Sequence, residues 1–458
     1  MSKKRATFEE FSSVSLKQWE EKISNDLKGK SISELEWTNS DNITLVPYVN
    51  KENSKNYSDS EIDIDIKSKP NTKTNEWNIN KFIKITTEKE ANNQAVKALS
   101  EGVNSLTFRG DNIDLDVLLK DIMIEIIAVH FIVRNPAQLI TDLKKLCLDR
   151  SITFIDIEGS ISFDYLGNYA RKGTWLTSKE QIKSDLINTF EAAKEADIKT
   201  ICASNSYFQK SGATVSQQIG IALAQGTEYL NLLTPHFEVD ELSKKMQFEI
   251  AIGNNYFLEI AKLRTFRMLW AKVLTAFAGT ETTTTINTST STLFWSDKQS
   301  KNNMLRATSQ AMSAILGGCD MLTISTFDTV SDKKETYSER IAANVQLILK
   351  EESYFDKVVD PANGSYFIEN LTEELAEKSW SVFQEIEKKG GYMNGLESNY
   401  IQEKVFESGE KLMELYNQGK TTLVGVNKYE TDDRVVSMKR ETEQKMVDNK
   451  TLSFLHIK

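Results

Sequence analysis

Short runs of β-branched and other apolar residues alternate with longer helical patterns from about residue 80 onward. Such alternation predicts a parallel sheet whose strands are joined by crossover helices. Eight runs are predicted to be strands: residues 105–108, 130–133, 152–157, 200–203, 229–233, 248–252, 283–288 and 321–325. The helical patterns cover residues 89–101, 111–127, 179–195, 216–224, 255–275, 302–316 and 338–350. Eight strands within about 220 residues predict an α/β fold of the closed (β/α)8 TIM-barrel type rather than an open doubly wound sheet.

The first 78 residues are predicted to form an N-terminal arm for subunit contact. Apolar residues recur at helical spacing over residues 8–27, and Gly29 follows as a natural stop. A short strand is predicted over residues 43–48, and residues 49–75 form a polar connection. From the pattern alone, the arm packs either on its own barrel or on a partner chain, and both remain open.

The barrel is assigned to residues 79–395, and a C-terminal extension follows it. A helix is expected to begin near Thr372, whose hydroxyl can cap it, and to end at the glycine pair that begins with Gly390. Residues 396–429 predict one more helix and a short strand. Residues 430–458 form a charged tail, and the sequence leaves its order open.

Composition and charge narrow the classes of function. A net charge of −10 argues against a nucleic-acid partner, because proteins that neutralise phosphates are usually basic. No apolar run is long enough to span a membrane, and the first residues lack the apolar stretch of a secretory signal. The three cysteines are far apart, which fits a reducing cytoplasm. The three histidines show no ligand spacing, so a metal site is not expected, and no glycine-rich nucleotide motif follows a strand.

Five stretches in the second half of the chain carry a more specific signal. They are residues 259–271, 302–318, 339–349, 351–366 and 425–428. Together and in this order they resemble the adenosylcobalamin-dependent acyl-CoA mutases, most closely methylmalonyl-CoA mutase. The resemblance implies a (β/α)8 barrel with acyl-CoA threaded through it and a radical rearrangement between methylmalonyl-CoA and succinyl-CoA. In such enzymes the cofactor supplies the difficult chemistry and the protein shields the radical.

The segment that matches the family's catalytic G-Y-H-x-Q-x-x-G motif lacks the tyrosine and the histidine at the positions where the family carries them. Gln209 and Gly212 fix the register of this segment. Tyr207 then stands in place of the histidine, and Ser206 stands in place of the tyrosine. A phenol at position 207 can still donate one hydrogen bond, but it does not titrate near neutrality as imidazole does.

Two further segments depart from the family in the same direction. Phe82 stands where the family carries a tyrosine, and residues 285–294 offer threonine and serine where the family has charged and aromatic groups. The D-x-H-x-x-G motif that supplies the histidine ligand of cobalt is absent from the sequence. Only about 30 residues follow Asn427, which is too few for a cobalamin-binding domain.

The resemblance and these departures together predict the small, non-catalytic subunit of a heterodimeric methylmalonyl-CoA mutase. No catalytic residue is expected in this chain, and Phe82, Ser206, Tyr207 and Gln209 are interpreted as vestigial positions. We expect neither a metal nor a cofactor on this chain, and we expect adenosylcobalamin on its partner, the large catalytic subunit.

Two alternatives remain open. The chain is alternatively the acyl-CoA-binding barrel of a split mutase that works with a separate cobalamin protein, or a non-enzymatic acyl-CoA-binding or mutase-scaffolding protein. Whether the altered barrel still holds acyl-CoA is left open by the sequence.

Overall fold

The computed structural model describes residues 14–28, 30–54, 73–280, 284–430, 435–441, 452 and 454–457. The strands are, in chain order, β1 (Trp37–Thr38), β2 (Thr44–Leu45), β3 (Asn78–Lys84), β4 (Ser105–Arg109), β5 (Ala128–Ile132), β6 (Gly159–Ser162), β7 (Ile198–Lys199), β8 (Ile201–Ser204), β9 (Met246–Ile252), β10 (Thr285–Thr290), β11 (Met321–Thr323), β12 (Met438–Glu441) and β13 (Phe454–Ile457).

Fifteen α-helices lie among the same described residues. They are α1 (Leu16–Asp26), α2 (Glu88–Ser100), α3 (Leu115–Leu118), α4 (Pro136–Asp149), α5 (Tyr165–Lys172), α6 (Lys179–Ala192), α7 (Ser206–Lys210), α8 (Val215–Leu233), α9 (Val239–Lys245), α10 (Tyr256–Ala276), α11 (Asn302–Leu316), α12 (Ser338–Leu347), α13 (Tyr366–Lys388), α14 (Gly391–Glu397) and α15 (Tyr400–Asn417). Short 3₁₀ helices occur at Ile32–Leu35 and Phe154–Asp156, and a π-helical turn, Ile348–Glu352, continues α12.

The strands β3 to β11 form one parallel sheet in the order β7-β6-β5-β4-β3-β11-β10-β9-β8. The two end members of this order, β7 and β8, are separated along the chain by Thr200 alone. They are therefore two halves of one strand, of which the first pairs with β6 and the second pairs with β9. The sheet closes on itself as a ring of eight strands, which confirms the predicted (β/α)8 class.

Six of the eight predicted strands overlap barrel strands, and two predictions are wrong. Residues 152–157 contain a 3₁₀ helix, and the strand follows at β6. Residues 229–233 form the last turns of α8, which is buried on almost all sides and therefore lacks a clear helical period. The sequence pattern also did not reveal β3, whose inward residues include the polar Asn80.

Other boundaries differ from the predictions for local reasons. The helix predicted over 111–127 is reduced to the single turn α3. Thr372 lies inside α13 and does not cap it, because its hydroxyl donates to the carbonyl oxygen of Ile368 at 2.7 Å. The same helix ends at Lys388, before the glycine pair as predicted. The short strand predicted within residues 396–429 is only an isolated bridge between Val424 and Lys428.

The N-terminal and C-terminal predictions are tested only in part. The predicted N-terminal helix is observed from Leu16 to Asp26, and its first part, residues 8–13, lies outside the described residues, as does Gly29. Most of the predicted polar connection (residues 55–72) and the first residue of the strand predicted over 283–288 also lie outside them. In the charged tail, β12 and β13 pair as antiparallel strands, so this part of the tail has regular structure. Within the described residues, no helix is both long enough and apolar enough to cross a membrane.

The helix α10 is deeply buried although it lies on the outside of the barrel. It contacts α8, α11 and α13, so other helices cover the side that faces away from the strands. On the strand side, Phe266 and Trp270 pack edge-on against Phe248 of β9, with ring centroids 4.7 and 4.8 Å apart. Gly226 of α8 makes room for this indole, because a Cβ there would lie 2.6 Å from a Trp270 ring carbon.

Four charged side chains of α10 are buried, and each has a partner. Arg264 forms ion pairs with Asp360 and with Glu369, the latter at 2.6 Å. These carboxylates lie in the loop before α13 and on its first turn, so the guanidinium joins two helices through the interior. Because an unpaired charge in such a place is very costly, the pairs fix the position of α13 on α10.

The same helix is tied to the barrel by its other charges. Lys262 pairs with Glu259 and donates to the carbonyl oxygen of Ala251 on β9 at 2.6 Å. Arg267 pairs with Asp320 at 2.8 Å and donates to the carbonyl oxygen of Gly318 at 2.6 Å. The charges of α10 therefore hold β9 and the start of β11 in one frame.

We expect the substitution Arg264→Ala to destabilise the protein strongly, because it leaves two buried carboxylates without their cation. The expected loss is about 3–5 kcal/mol in the free energy of unfolding, measured by urea denaturation. The control is Lys22→Ala, which removes an exposed pair with Asp26 and should cost less than about 1 kcal/mol. Equal losses in the two variants would contradict this assignment.

Candidate functional site

A cavity of about 690 Å³ opens at the carboxyl ends of the barrel strands. Arg109, Ile132, Ser162 and Ser204, the last residues of β4, β5, β6 and β8, all line it. Active sites of (β/α)8 enzymes lie at this face, and the volume is within the range of small-molecule sites. The cavity is therefore the candidate functional site.

All four predicted vestigial positions line this cavity. Phe82 extends from β3, and Ser206, Tyr207 and Gln209 belong to α7, which begins directly after β8. The serine- and threonine-rich end of β10 and the loop behind it contribute the lining residues 287–292. The structure thus brings together the segments that the sequence comparison singled out. That these positions have lost catalysis stays a prediction.

The position of α7 is fixed by close backbone packing. The amide of Asn205, just before α7, donates to the carbonyl oxygen of Glu249 on β9 at 3.0 Å. Gly212, just after α7, has a φ of +98°, and a Cβ there would collide with Gly409 of α15. Only glycine combines this backbone conformation with so close an approach, which explains the glycine that anchors the register of the motif.

The Tyr207 side chain is turned into the protein. Its hydroxyl oxygen is buried and lies beside Gly167 of α5, where a Cβ would collide with it. Burial, together with the neighbouring Tyr392 hydroxyl and the Asp164 carboxylate, raises the pKa of Tyr207 well above its usual value. The phenol therefore stays protonated at neutral pH and is not presented to the open cavity as a general acid.

Asp164 is the centre of the cluster that surrounds this phenol. Its carboxylate accepts hydrogen bonds from the amides of Gly167 and Ser204 at 2.8 and 2.9 Å. It also accepts from the Gln225 amide at 2.9 Å and from the Tyr229 hydroxyl at 2.7 Å. The bonds join the loop after β6, the end of β8 and the helix α8, so one carboxylate holds three elements of the cavity wall.

Below the cavity, buried side chains form hydrogen bonds with one another inside the barrel. The ring nitrogen Nδ1 of His130 on β5 lies 2.9 Å from the Ser160 hydroxyl on β6. The Gln247 amide on β9 donates to this hydroxyl at 3.1 Å and accepts from the Asn287 amide on β10 at 3.0 Å. The bonds join neighbouring or next-but-one strands, so this chain of bonds runs around half of the barrel interior and links the opposite strands β5 and β10.

A second group of bonds closes the other side of the axis. The Asn80 side chain on β3 accepts from Ser105 and Thr107 on β4 at 3.0 and 3.1 Å, and it donates to Thr323 on β11 at 2.8 Å. Burial lowers the pKa of His130 to about 4, so its ring is neutral at pH 7. The layer is uncharged, and the cavity ends on it as a floor.

Charged residues that the sequence analysis did not identify surround the cavity. Lys81 pairs with Glu339 at 2.6 Å, and Arg109, Arg171 and Lys210 also line the cavity. The Nε of Arg171 is buried without a hydrogen-bond partner. Burial raises the pKa of the Glu249 carboxyl. The mouth is therefore more cationic than the strongly acidic chain as a whole.

The position of Asp164 just after a barrel strand could have indicated a site residue, but this strand is predicted at the wrong residues. Site residues of such barrels follow the carboxyl ends of strands, and Asp164 lies two residues after β6. Because the strand was predicted over 152–157, the residues after its true end did not stand out. Arg171 lies near the end of α5, and no sequence pattern around it indicates a site residue.

We expect the stability contribution of Asp164 to depend on pH. Burial raises the pKa of its carboxyl to about 6, above its value in the unfolded chain. The folded state then binds the proton more tightly, so this contribution is complete below about pH 4 and is lost as the pH rises through about 6. The unfolding free energy of the unchanged chain minus that of Asp164→Asn should fall over this range and then level off.

The control for this titration is Tyr229→Phe. It keeps the carboxylate but removes a hydrogen bond that favours its charged form, so the pKa of Asp164 should rise further. The pH-dependent fall in the free energy of unfolding that Asp164 causes should then extend to higher pH. Urea titrations at several pH values measure both differences. A difference between the unchanged chain and Asp164→Asn that is flat from pH 4 to pH 7, or that rises, would contradict the assignment.

Comparisons with known proteins identify the family. The family model described as methylmalonyl-CoA mutase matches residues 111–457. The methylmalonyl-CoA mutase small subunit of Porphyromonas gingivalis is 31% identical over 447 residues, which cover 93% of this chain and 71% of that protein. The large subunit of the same organism is 30% identical over 62% of this chain and 40% of its own length.

Other relatives match a shorter part of the chain. The methylmalonyl-CoA mutase of Rhizobium meliloti is 33% identical over 284 residues, and the matched part covers 60% of this chain but only 40% of that enzyme. Among solved structures, dihydropteroate synthase from Xanthomonas albilineans matches at 9% identity over 60% of this chain and 93% of that one, and its TM-score of 0.30 is too low to support a conclusion. The family model and the Porphyromonas small subunit together show that the chain belongs to the methylmalonyl-CoA mutase family.

Proposed function

We propose that this chain is the structural small subunit of a heterodimeric methylmalonyl-CoA mutase. Its large partner carries adenosylcobalamin and interconverts methylmalonyl-CoA and succinyl-CoA. The two Porphyromonas relatives are named small and large subunit, which indicates that this family includes enzymes with two kinds of chain. Similarity to the small subunit over almost the whole chain supports the assignment of this chain to that role.

The observation that carries the proposal is the filled barrel axis. A substrate threaded through a barrel needs an open passage, and the bonded side chains of His130, Ser160, Gln247 and Asn287 occupy that passage here. Each of these residues is buried. Opening the axis would leave several of these polar groups without partners, at about 1–3 kcal/mol for each group. The closed axis therefore favours a structural role over catalysis.

The groups at the mouth support the same conclusion. The resemblance implies an imidazole where this chain has Tyr207, and the Tyr207 hydroxyl is buried beside Asp164 and Tyr392. Catalytic groups must reach the reacting atoms through a hydrogen bond or one water molecule. A hydroxyl enclosed by the cavity wall does not meet this requirement.

The described residues do not fit a cobalamin. The family holds cobalt from below with a histidine, and none of the three histidines of this chain lines the cavity. His130 is in the barrel axis, His236 follows α8, and His456 lies on β13 beside Glu441 at 4.0 Å. The proposal therefore places the cofactor on the partner chain.

The N-terminal arm offers an apolar surface for that partner. The helix α1 is amphipathic, yet it has no fully buried residue in this chain. Its residues Trp19 and Ile23 are only half-buried, and Trp19 stacks on Tyr48 at 4.5 Å. Trp37 of the neighbouring β1 is 50% exposed. Partly exposed apolar residues on neighbouring segments of the arm are typical of a protein interface.

A second function is favoured by the cavity itself. Its volume of about 690 Å³ and the unpartnered Nε of Arg171 leave room and a cation for a ligand. Under this alternative the chain is the acyl-CoA-binding barrel of a split mutase and works with a separate small cobalamin protein. The two functions differ in the partner that they require, so one experiment separates them.

We expect this chain, when produced together with the large mutase chain of the same genome, to form a one-to-one pair with one cobalamin. Native mass spectrometry measures the composition of the complex. The variant Ile23→Asp places a charge on the apolar side of α1 and should weaken pairing at least about tenfold, or about 1.4 kcal/mol. A chain that ignores the large chain and captures a small cobalamin protein would support the alternative instead.

The control for the arm is Asn25→Asp, which also changes the charge by −1 but at an exposed position of the same helix. Pairing should be unchanged in this variant within about twofold. If Ile23→Asp and Asn25→Asp weaken pairing equally, or if neither does, the arm is not the contact that the proposal requires.

A further inference from the structure

The antiparallel pair β12–β13 lies beside the mouth of the cavity. Phe454, the first residue of β13, lines the cavity. The Lys210 ammonium group at the end of α7 lies 5.2 Å from the centre of the Phe454 ring. A strand from the C-terminal part of the chain therefore supplies one wall of a site that otherwise belongs to the barrel.

Alternate residues of β13 have different roles. Leu455 and Ile457 are buried in a small apolar cluster that is separate from the main core. The other buried members of this cluster are Leu293, Tyr416, Leu423, Val426 and Met438. Successive side chains of a strand point to opposite faces, so Phe454 lies on the face opposite to Leu455. The strand is thus anchored by one face and presents Phe454 on the other.

Arg440 holds β12 against α15. Its Nε lies 3.0 Å from a carboxylate oxygen of Glu410, and its guanidinium stacks on the Phe406 ring at 4.4 Å. It also donates to the carbonyl oxygen of Phe406 at 3.3 Å. The pair of strands is therefore attached to α15, to the small cluster and to the end of α7, where Arg440 also donates to the carbonyl oxygen of Ser211 at 3.5 Å. Leu452, two residues before β13, is buried in the main core, and the two strands share no strand pairing with the barrel sheet.

An attachment of this kind opens more easily than the barrel does. A two-stranded sheet is marginally stable by itself, and local opening draws on the least stable parts of a structure. Opening of β13 would remove the Phe454 ring from the cavity wall while the eight barrel strands stay paired.

We propose that β12–β13 is a built-in cover of the cavity and that Phe454 controls passage into it. Access to the floor of the cavity then depends on the C-terminal part of this chain itself. The inference goes beyond the proposed function, because it holds for the chain alone, with or without a partner.

Cys202 provides a reporter of passage through the mouth. It is a free thiol on β8, it is buried, and it lines the cavity. Burial raises its pKa well above the usual value, so it reacts slowly and any gain in access is easily measured. The other two cysteines, Cys147 and Cys319, are buried and do not line this cavity. Replacing both with alanine leaves Cys202 as the single thiol.

In this background, we expect Phe454→Ala to increase the rate at which methyl methanethiosulfonate modifies Cys202 by at least about tenfold. Mass spectrometry of the intact chain follows the modification. The control is Lys439→Ala, on the exposed side of β12, and its rate should equal that of the background. Ile457→Ala removes an anchor without touching the cavity, and it should also increase the rate.

The rates are measured over a range of pH. A wider passage increases the rate at every pH, whereas a lower pKa of Cys202 shifts only the midpoint of the curve. Thermal melting shows whether the barrel stays folded in each variant. The proposal is overturned if neither Phe454→Ala nor Ile457→Ala increases the rate, if only the midpoint shifts, or if Lys439→Ala increases the rate equally.

Discussion

The buried, paired charges of α10 hold the neighbouring helix α13 and the strands β9 and β11 in place. Arg264 joins α10 to α13, Lys262 joins it to β9, and Arg267 joins it to the start of β11. A buried charge without a partner costs several kcal/mol, so these side chains tolerate few alternative arrangements. The positions of α13, β9 and the start of β11 are therefore set by ionic contacts on the outside of the barrel.

The inside of the barrel supports the proposed structural role. Barrels of this class usually fill their axis with branched apolar side chains, whereas a barrel that threads a substrate must leave it open. This chain does neither, because it fills the axis with polar residues such as Asn80, Gln247 and Asn287 that bond to one another. The result is a closed floor beneath a cavity that remains at the mouth. A preserved frame around an altered interior fits a subunit that supports catalysis in its partner.

The same polar interior explains which strands could be predicted from the sequence. Strands whose outer face is apolar, such as β5 with Val129 and Phe131 and β9 with Phe248, Ile250 and Ile252, are predicted to within two residues at each end. The strand β3 has Asn80 on its inner face, and β6 is only Gly159–Ser162, so neither shows a strong apolar pattern. The apolar helix α8 produced the opposite error, since its last turns resemble a buried strand.

The site could be predicted only where a local motif fixed the register. Gln209 and Gly212 fix the register of the segment with Ser206 and Tyr207, and this segment lines the cavity. Asp164 lies about 40 residues earlier in the chain, and only the folding of α5 and α8 around it brings its carboxylate beside the Tyr207 hydroxyl. The direction of the Tyr207 side chain likewise depends on Gly167, which no spacing in the sequence reveals.

The most direct measurement counts the CoA thioesters bound to the proposed heterodimer after its purification. Equilibrium dialysis against labelled succinyl-CoA gives the number of molecules bound to each pair of chains. With the axis of this chain closed, the large chain alone should bind, and one molecule per pair is expected. Two molecules per pair would show that this barrel still accepts the substrate and would contradict a purely structural role.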